Sequence, residues 1–137
     1  MKVIVDTSVW SLALRRQKQP QNAYVDLLEE LIADGRVVVL GVVRQEVLSG
    51  IRYKEQYEKL KANLRAFPDL SLKEDDYEVA ASFYNRCREK RIQGSNTDYL
   101  ICSAAGRRNY QILTTDKDFD YFKEHLSVNL LKPGACQ

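Results

Sequence analysis

Two short apolar runs, Val3-Ile4-Val5 and Ile112-Leu113-Thr114-Thr115, each stop at an aspartate, Asp6 and Asp116, and each is followed by a helix-starting pattern. Runs of this kind read as buried strands, and strands that alternate with helices mean a mostly parallel sheet covered on both faces. In such a sheet the strand ends lie along one edge. Ligands bind in the crevice outside those carboxyl ends, so acids placed there fall into the site the fold itself offers. Two further acids, Glu46 and Asp98, stand in separate places where a carboxylate can project from the end of a predicted element.

The rest of the chain supports this layout. Ser8 is expected to cap a short helix through Leu14, with a polar loop over residues 15–21 ending at Pro20. Tyr24, Leu27, Leu28, Leu31 and Ile32 recur at helical spacing until Gly35. A second strand over residues 37–40 turns at Gly41 into a helix with Val43, Val47 and Leu48 on one face and Glu46 about one turn inside it, facing elsewhere. Tyr53, Tyr57, Leu60 and Leu64 mark the next helix, ended before Pro68. Leu70 and Leu72 form a candidate minor strand, and Val79, Ala80, Phe83, Tyr84 and Cys87 mark a long helix. Asn96 or Ser95 caps the helix carrying Leu100, Ile101, Ala104 and Ala105, which puts Asp98 in its first turn. After the strand ending at Thr115 come a short helix around Phe119 and Phe122 and a last strand over residues 128–131.

A length of 137 residues is one domain, residues 1–137, able to bury roughly two-thirds of its unfolded surface. Lys plus Arg number 21 and Asp plus Glu 19, so the net charge of +2 carries no argument for nucleic acid, and the distribution of charge must carry it instead. Cys87, Cys102 and Cys136 lack metal-ligand spacing, and the first two sit in apolar helical patterns. With His125 the lone histidine, a zinc site is not expected, and buried reduced thiols of a cytoplasmic protein are. No apolar run approaches a membrane span, so no membrane partner is expected.

Any one acid at a strand end or in a first helical turn reads most simply as a cap or a dipole partner. Asp26, Asp34, Glu55, Glu58, Glu74, Asp75, Asp76 and Glu78 are read as solvated helix faces or caps. Joint placement of Asp6, Glu46, Asp98 and Asp116 argues differently. Two unit charges about 4 Å apart repel by around 4 kcal/mol at an effective dielectric near 20, so converging carboxylates need a cation. Oxygen ligands without His or Cys suit Mg²⁺ or Mn²⁺, and the implied chemistry is metal-assisted attack of water on a phosphodiester.

At these residues the chain resembles the PIN-domain ribonucleases, specifically the VapC-type toxins of toxin–antitoxin pairs. The matching segments are Val5-Asp6-Thr7-Ser8, Gln45-Glu46-Val47, the stretch Thr97-Asp98-Tyr99-Leu100-Ile101-Cys102-Ser103-Ala104-Ala105, and Ile112-Leu113-Thr114-Thr115-Asp116-Lys117-Asp118-Phe119. Each is weak alone, and together they span nearly the whole chain. The resemblance implies a three-layer α/β/α fold around a mostly parallel sheet of four to five strands. It implies that Asp6, Glu46, Asp98 and Asp116 bind Mg²⁺ or Mn²⁺, with Asp118 the alternative fourth acid. Thr7, Ser8 and Thr115 would orient a carboxylate, a water or a phosphate. It further implies an RNA substrate cut to leave a 5′-phosphate, a homodimer, and a cognate antitoxin whose segment lies near the acids. Trp10, Leu12, Leu14 and the Tyr53 to Leu64 face are the surfaces expected to meet that partner.

Two basic clusters are candidates for RNA phosphates: Arg52, Lys54, Lys59, Lys61 and Arg65, and Arg86, Arg88, Lys90, Arg91, Arg107 and Arg108. Tyr53, Tyr57, Tyr84 and Tyr99 have helical phasing that favours packing, and Trp10 is read first as core, then as dimer contact or base platform. Three other classes share part of this pattern. A Mg²⁺-dependent haloacid-dehalogenase-like phosphatase calls for Asp-x-Asp, but Ser8 holds the second position. A receiver domain needs an Asp ending the central strand, which here ends in Gly41. A non-catalytic PIN-like module binding RNA or protein would be supported by a missing acid, and all four positions are filled.

Overall fold

The computed structural model describes residues 1–14 and 21–134. Most of the loop expected over residues 15–21, Pro20 included, and Cys136 lie outside the described residues. Eleven elements follow in order: β1 (Val3–Val5), α1 (Thr7–Ala13), α2 (Ala23–Ala33), β2 (Val37–Val38), α3 (Gly41–Ser49), α4 (Lys54–Leu64), α5 (Glu74–Glu89), α6 (Asn96–Arg108), β3 (Gln111–Leu113), α7 (Asp118–His125) and β4 (Asn129–Leu130).

The strands form one all-parallel sheet in the order β2-β1-β3-β4, with Val3 opposite Val37 and Gln111, and Ile112 opposite Leu130. Every residue of β1, together with Ile112 and Leu113 of β3, is fully buried. These two central strands are covered on both faces, which is why they read as continuous apolar runs rather than alternating ones. Parallel strands put both carboxyl ends on one edge, and the Asp6 N–H donates to the Leu113 carbonyl at 2.9 Å, joining the two strand ends there.

Local chemistry sets the element ends. Asn22 caps α2 by accepting from the Tyr24 and Val25 amides at 2.8 and 3.3 Å. Gly35, at φ +67°, turns the chain into β2 in a left-handed conformation that favours glycine. Several sequence expectations are corrected. The N-cap of α1 is Asp6, and Ser8 lies inside the helix, because strand and helix meet without a spare residue. Leu70 and Leu72 form no strand: an isolated parallel bridge pairs Val39 with Asp69, and the Leu70 amide donates to the Val39 carbonyl at 2.8 Å. β3 ends at Leu113, two residues before Thr115. Tyr53 is the N-cap of α4 and lies exposed, whereas Tyr99 is core.

Helices α5 and α6 pack antiparallel, and their contact holds the largest departure from expectation. Asp76, read as a solvated face or cap, is fully buried and receives Arg107 at 2.6 Å and both terminal nitrogens of Arg108 at 2.7 and 2.8 Å. Its carboxylate also accepts the Lys73 amide at 2.8 Å, closing the start of α5. The Arg108 guanidinium, aided by the Lys73 amide and Arg107, holds the Asp76 carboxyl well below the usual range against the opposing effect of burial. At the other end of the pair, Tyr84, Tyr99, Phe122 and Phe119 form a chain of edge-on and tilted rings with centroids 5.1–5.5 Å apart. Trp10 is 5% exposed and meets Phe67 edge-on at 5.6 Å, so its core role holds and it offers little to a partner. Leu60 and Leu64 also face inward, and Cys87 and Cys102 are buried free thiols.

Candidate active site

Each of the four acids is carried to the carboxyl edge by a different element. Asp6 follows β1 directly; it is 6% exposed, and its Oδ2 accepts from both Ser8 Oγ and Thr114 Oγ1 at 2.8 Å. Asp116 lies three residues beyond β3, and its Oδ1 accepts the Asp118 amide at 2.9 Å, opening α7. Asp98 is the third helical residue of α6, in a capping box: the Ser95 amide donates to its Oδ2 at 3.0 Å, while the Asp98 amide donates to Ser95 Oγ at 3.1 Å. Glu46, exposed on α3, accepts Thr7 Oγ1 on its Oε1 at 2.7 Å. One pattern runs through all four. Each carboxylate has one oxygen fixed by the protein, and among the described residues its second oxygen has no protein donor.

Electrostatics places Asp6, Asp98 and Asp116 in one neighbourhood. Burial pushes the Asp98 carboxyl above its ordinary value, and the negative charges of Asp6 and Asp116 push it the same way, against the Ser95 hydrogen bonds. Among the described residues no three His, Cys, Asp or Glu side chains form a ready-made metal cage. The donor set nevertheless suits a hydrated hard cation: it is all oxygen, and Mg²⁺ commonly takes only one or two carboxylates while keeping several waters.

Of the supports expected from sequence, Thr7 orients Glu46 and Ser8 orients Asp6. Thr115 supplies its backbone amide to Ser8 Oγ at 3.1 Å, and the hydroxyl expected of it belongs to Thr114. Thr114 is 3% exposed, donates to Asp6 and accepts the Asp116 amide at 3.0 Å, so one side chain ties two acids from two strands. No signal in the sequence separates Thr114 from Thr115, because Ile112, Leu113 and Thr114 are buried in succession with no alternation. Asp118 spends its amide on Asp116 and leaves its own carboxylate exposed in the first turn of α7, and Ser8 Oγ lies 3.3 Å from Thr114 Oγ1.

The basic residues divide. Arg107 and Arg108 are spent on Asp76, which removes them from the cluster expected to meet phosphates. Arg86 donates to the His125 carbonyl at 3.3 Å, and Arg88 sits 5.8 Å over Tyr84. An open groove of about 550 Å³ is lined by Thr7, Glu46 and Thr97 beside the acids. A larger one of about 620 Å³, lined by Lys2, Gly35 and Val37, lies at the amino edge of the sheet. Its size does not make it the site, because no acid of the four reaches it.

A family model described as PIN domain matches residues 3–124. The chain belongs to the PIN-domain family. In fold it is similar to chains of FitAcB from Neisseria gonorrhoeae (TM-score 0.76, 19% identity, covering 98% of this chain and 99% of that one). It is likewise similar to a chain of VapBC2 from Rickettsia felis bound to a promoter DNA fragment (0.74, 19%, 96% and 98%). A third is VapBC-5 from Mycobacterium tuberculosis, a member of the VapBC family of toxin–antitoxin systems (0.68, 19%, 96% and 99%). No curated protein matches the chain by sequence. Among the described residues no helix is long and apolar enough to cross a membrane.

Proposed function

We propose that this protein is a divalent-metal-dependent endoribonuclease and the toxin of a toxin–antitoxin pair, hydrolysing RNA phosphodiesters at Asp6, Glu46, Asp98 and Asp116. The observation that carries this reading is the set of four carboxylates from four elements, each anchored through one oxygen with the other left to a ligand. Membership of the PIN-domain family and the likeness to VapBC and FitAcB chains support the toxin role and the antitoxin partner, and a homodimer belongs to the same proposal.

Asp6, Asp98 and Asp116, with Glu46 at the rim, would hold Mg²⁺ or Mn²⁺. When bound, such an ion neutralises the carboxylates, activates water and stabilises charge developing on the phosphoryl oxygens. The chain's own contribution is orientation. Ser8 and Thr114 fix the plane of the Asp6 carboxylate, the Ser95 cap fixes Asp98, and Thr7 keeps Glu46 against α1. A group held through one oxygen presents the other at a fixed angle, which is what positioning of the attacking and leaving oxygens requires.

The test is cleavage of a structured RNA pool by the purified chain, freed of any bound partner, beside Asp98→Asn. Cutting that needs Mn²⁺ or Mg²⁺, stops with chelator, and vanishes in the folded variant is the expected result. Inactivity of both proteins would move the reading to a non-catalytic RNA- or protein-binding module. Equal cutting by both would mean a contaminating nuclease or a different site.

A further inference from the structure

Three open grooves, of about 550, 300 and 480 Å³, share walls in sequence. Gln45 and Ser49 line the first, beside Glu46, and also the second; Arg44 and Leu48 line both the second and the third. The grooves therefore make one continuous track across the outer face of α3, from the acids to α4. Tyr57 lines its middle, and Lys61 and Arg65 line its far end.

The charge along this track is directional. Asp69, the acid of the far groove, is paired with Arg44 at 2.8 Å, and Arg44 also donates to the Leu64 carbonyl at 3.0 Å and to the Phe67 carbonyl. Those two residues cancel and form a rigid floor. Lys61 reaches Glu58 at 3.3 Å and sits 5.8 Å over Tyr57, with both partners of the ion pair about half exposed. A surface pair of that kind is worth little and is readily exchanged for a phosphate. Arg65 is exposed on the same groove. Leu48 and Val42 give the α3 side some apolar surface, but Leu60 and Leu64 of α4 are turned into the core. The facing wall therefore offers a docked protein helix no aliphatic partner and presents Tyr57, Lys61 and Arg65 instead. A cationic groove that tracks a backbone, with an aromatic ring for a base, is how single strands are held.

We propose that this track binds the single-stranded RNA flanking the scissile phosphodiester, with a base stacked on Tyr57 and phosphates met by Lys61 and Arg65. The proposal rests on the ribonuclease reading above and adds where the strand runs.

The test uses the full chain carrying Asp98→Asn to block cleavage, in Mg²⁺, and a fluorescein-labelled RNA of about ten nucleotides, within the range of single-strand sites. Binding is measured against salt for this parent, for Lys61→Ala/Arg65→Ala, for Tyr57→Ala, and for Lys2→Ala/Lys73→Ala, which removes equal charge at the opposite edge of the sheet. Circular dichroism confirms that each is folded. The double variant on the track should lose about 1.4 from the slope of log K against log salt, at roughly 0.7 per phosphate contact. Tyr57→Ala should weaken binding about tenfold, and the opposite-edge control should follow the parent. An unchanged slope in the track variant, or an equal loss in the control, overturns the proposal and leaves this surface to a protein partner or to solvent. RNA cleavage by the chain with Asp98 intact is run in parallel. If that chain cuts RNA while the track variant keeps its slope, the path alone is wrong; if it neither cuts nor binds, the ribonuclease reading falls with it.

Discussion

A single hydroxyl distinguishes the two threonines that end β3. Thr114 is bonded to Asp6 and to the Asp116 amide, whereas Thr115 contributes only its backbone amide. Thr114→Val keeps the shape and removes both bonds. Loss of a hydrogen bond to a charged group costs about 1.5–3 kcal/mol, so cleavage should fall roughly ten- to a hundredfold, while Thr115→Val should stay near wild type. Comparable rate losses in the two variants would contradict the assignment. Asp98 makes a second prediction, read without metal and with chelator present. Its folded carboxyl sits above the ordinary value, so the fold favours the protonated form; the associated stability is present below the ordinary carboxylate range and is lost as pH rises through the folded value. Asp98→Asn keeps an acceptor for the Ser95 amide and removes the charge. Thermal unfolding at pH 7 should therefore move up by a few degrees, a gain that shrinks on acidification; a lower midpoint at pH 7 would count against this. At this scale Asp6 and Asp116 stand out in the sequence because a strand that stops at an Asp is a visible pattern, whereas Glu46 and Asp98 sit on helices, where an acid has no such mark. Thr114 does not stand out, because neither its burial nor its partner across the sheet is written in neighbouring residues.

At the scale of elements, the α5–α6 contact determines how rigidly Asp98 is presented. Asp76 closes one end of the pair, and Ser103 adds a hydrogen bond to the Asp76 carbonyl at 2.7 Å. Asp76→Ala strips both arginines of their partner, and breaking a buried pair costs on the order of 3 kcal/mol, here at the low end because Arg107 and Arg108 can still reach solvent. The depressed Asp76 carboxyl means that its stabilisation is complete above the ordinary carboxylate range and drains away as pH falls through that range toward the folded value. Denaturant unfolding of wild type and Asp76→Ala should thus converge as pH drops, and a constant gap would contradict the linkage. At the other end, a Cβ on Gly94 would lie 2.7 Å from Phe122 and 2.8 Å from Tyr99, two buried rings with no room to move. Gly94→Ala should cost about 1–3 kcal/mol by overpacking, measurable by the same unfolding, and should disturb Ser95, the cap of Asp98. Helical spacing located both helices from sequence. It could not separate a buried acid from a solvated one, since Glu74, Asp75, Asp76 and Glu78 look alike until α6 is placed against them.

Over the whole molecule, alternation of strands and helices was enough to read a parallel sheet, and the strong apolar runs became its central strands. Strand order was not legible, because the pairing of β1 with β3 across more than a hundred residues depends on packing. The brief alternation of Leu70 and Leu72 reads as a minor strand, but two apolar residues are too few to hold a ladder, and the segment meets Val39 through an isolated bridge. The parallel sheet brings one acid of each central strand to a common edge, and α3 and α6 add the other two. The most direct test of that convergence is Mn²⁺ uptake followed by electron paramagnetic resonance on the purified, partner-free chain. Saturable binding by wild type, weakened at least tenfold by Asp6→Asn, Asp98→Asn and Asp116→Asn alike in folded proteins, is the predicted result. Binding that survives all three substitutions, or wild type that takes up no Mn²⁺, would contradict the account of these carboxylates as one metal-holding site.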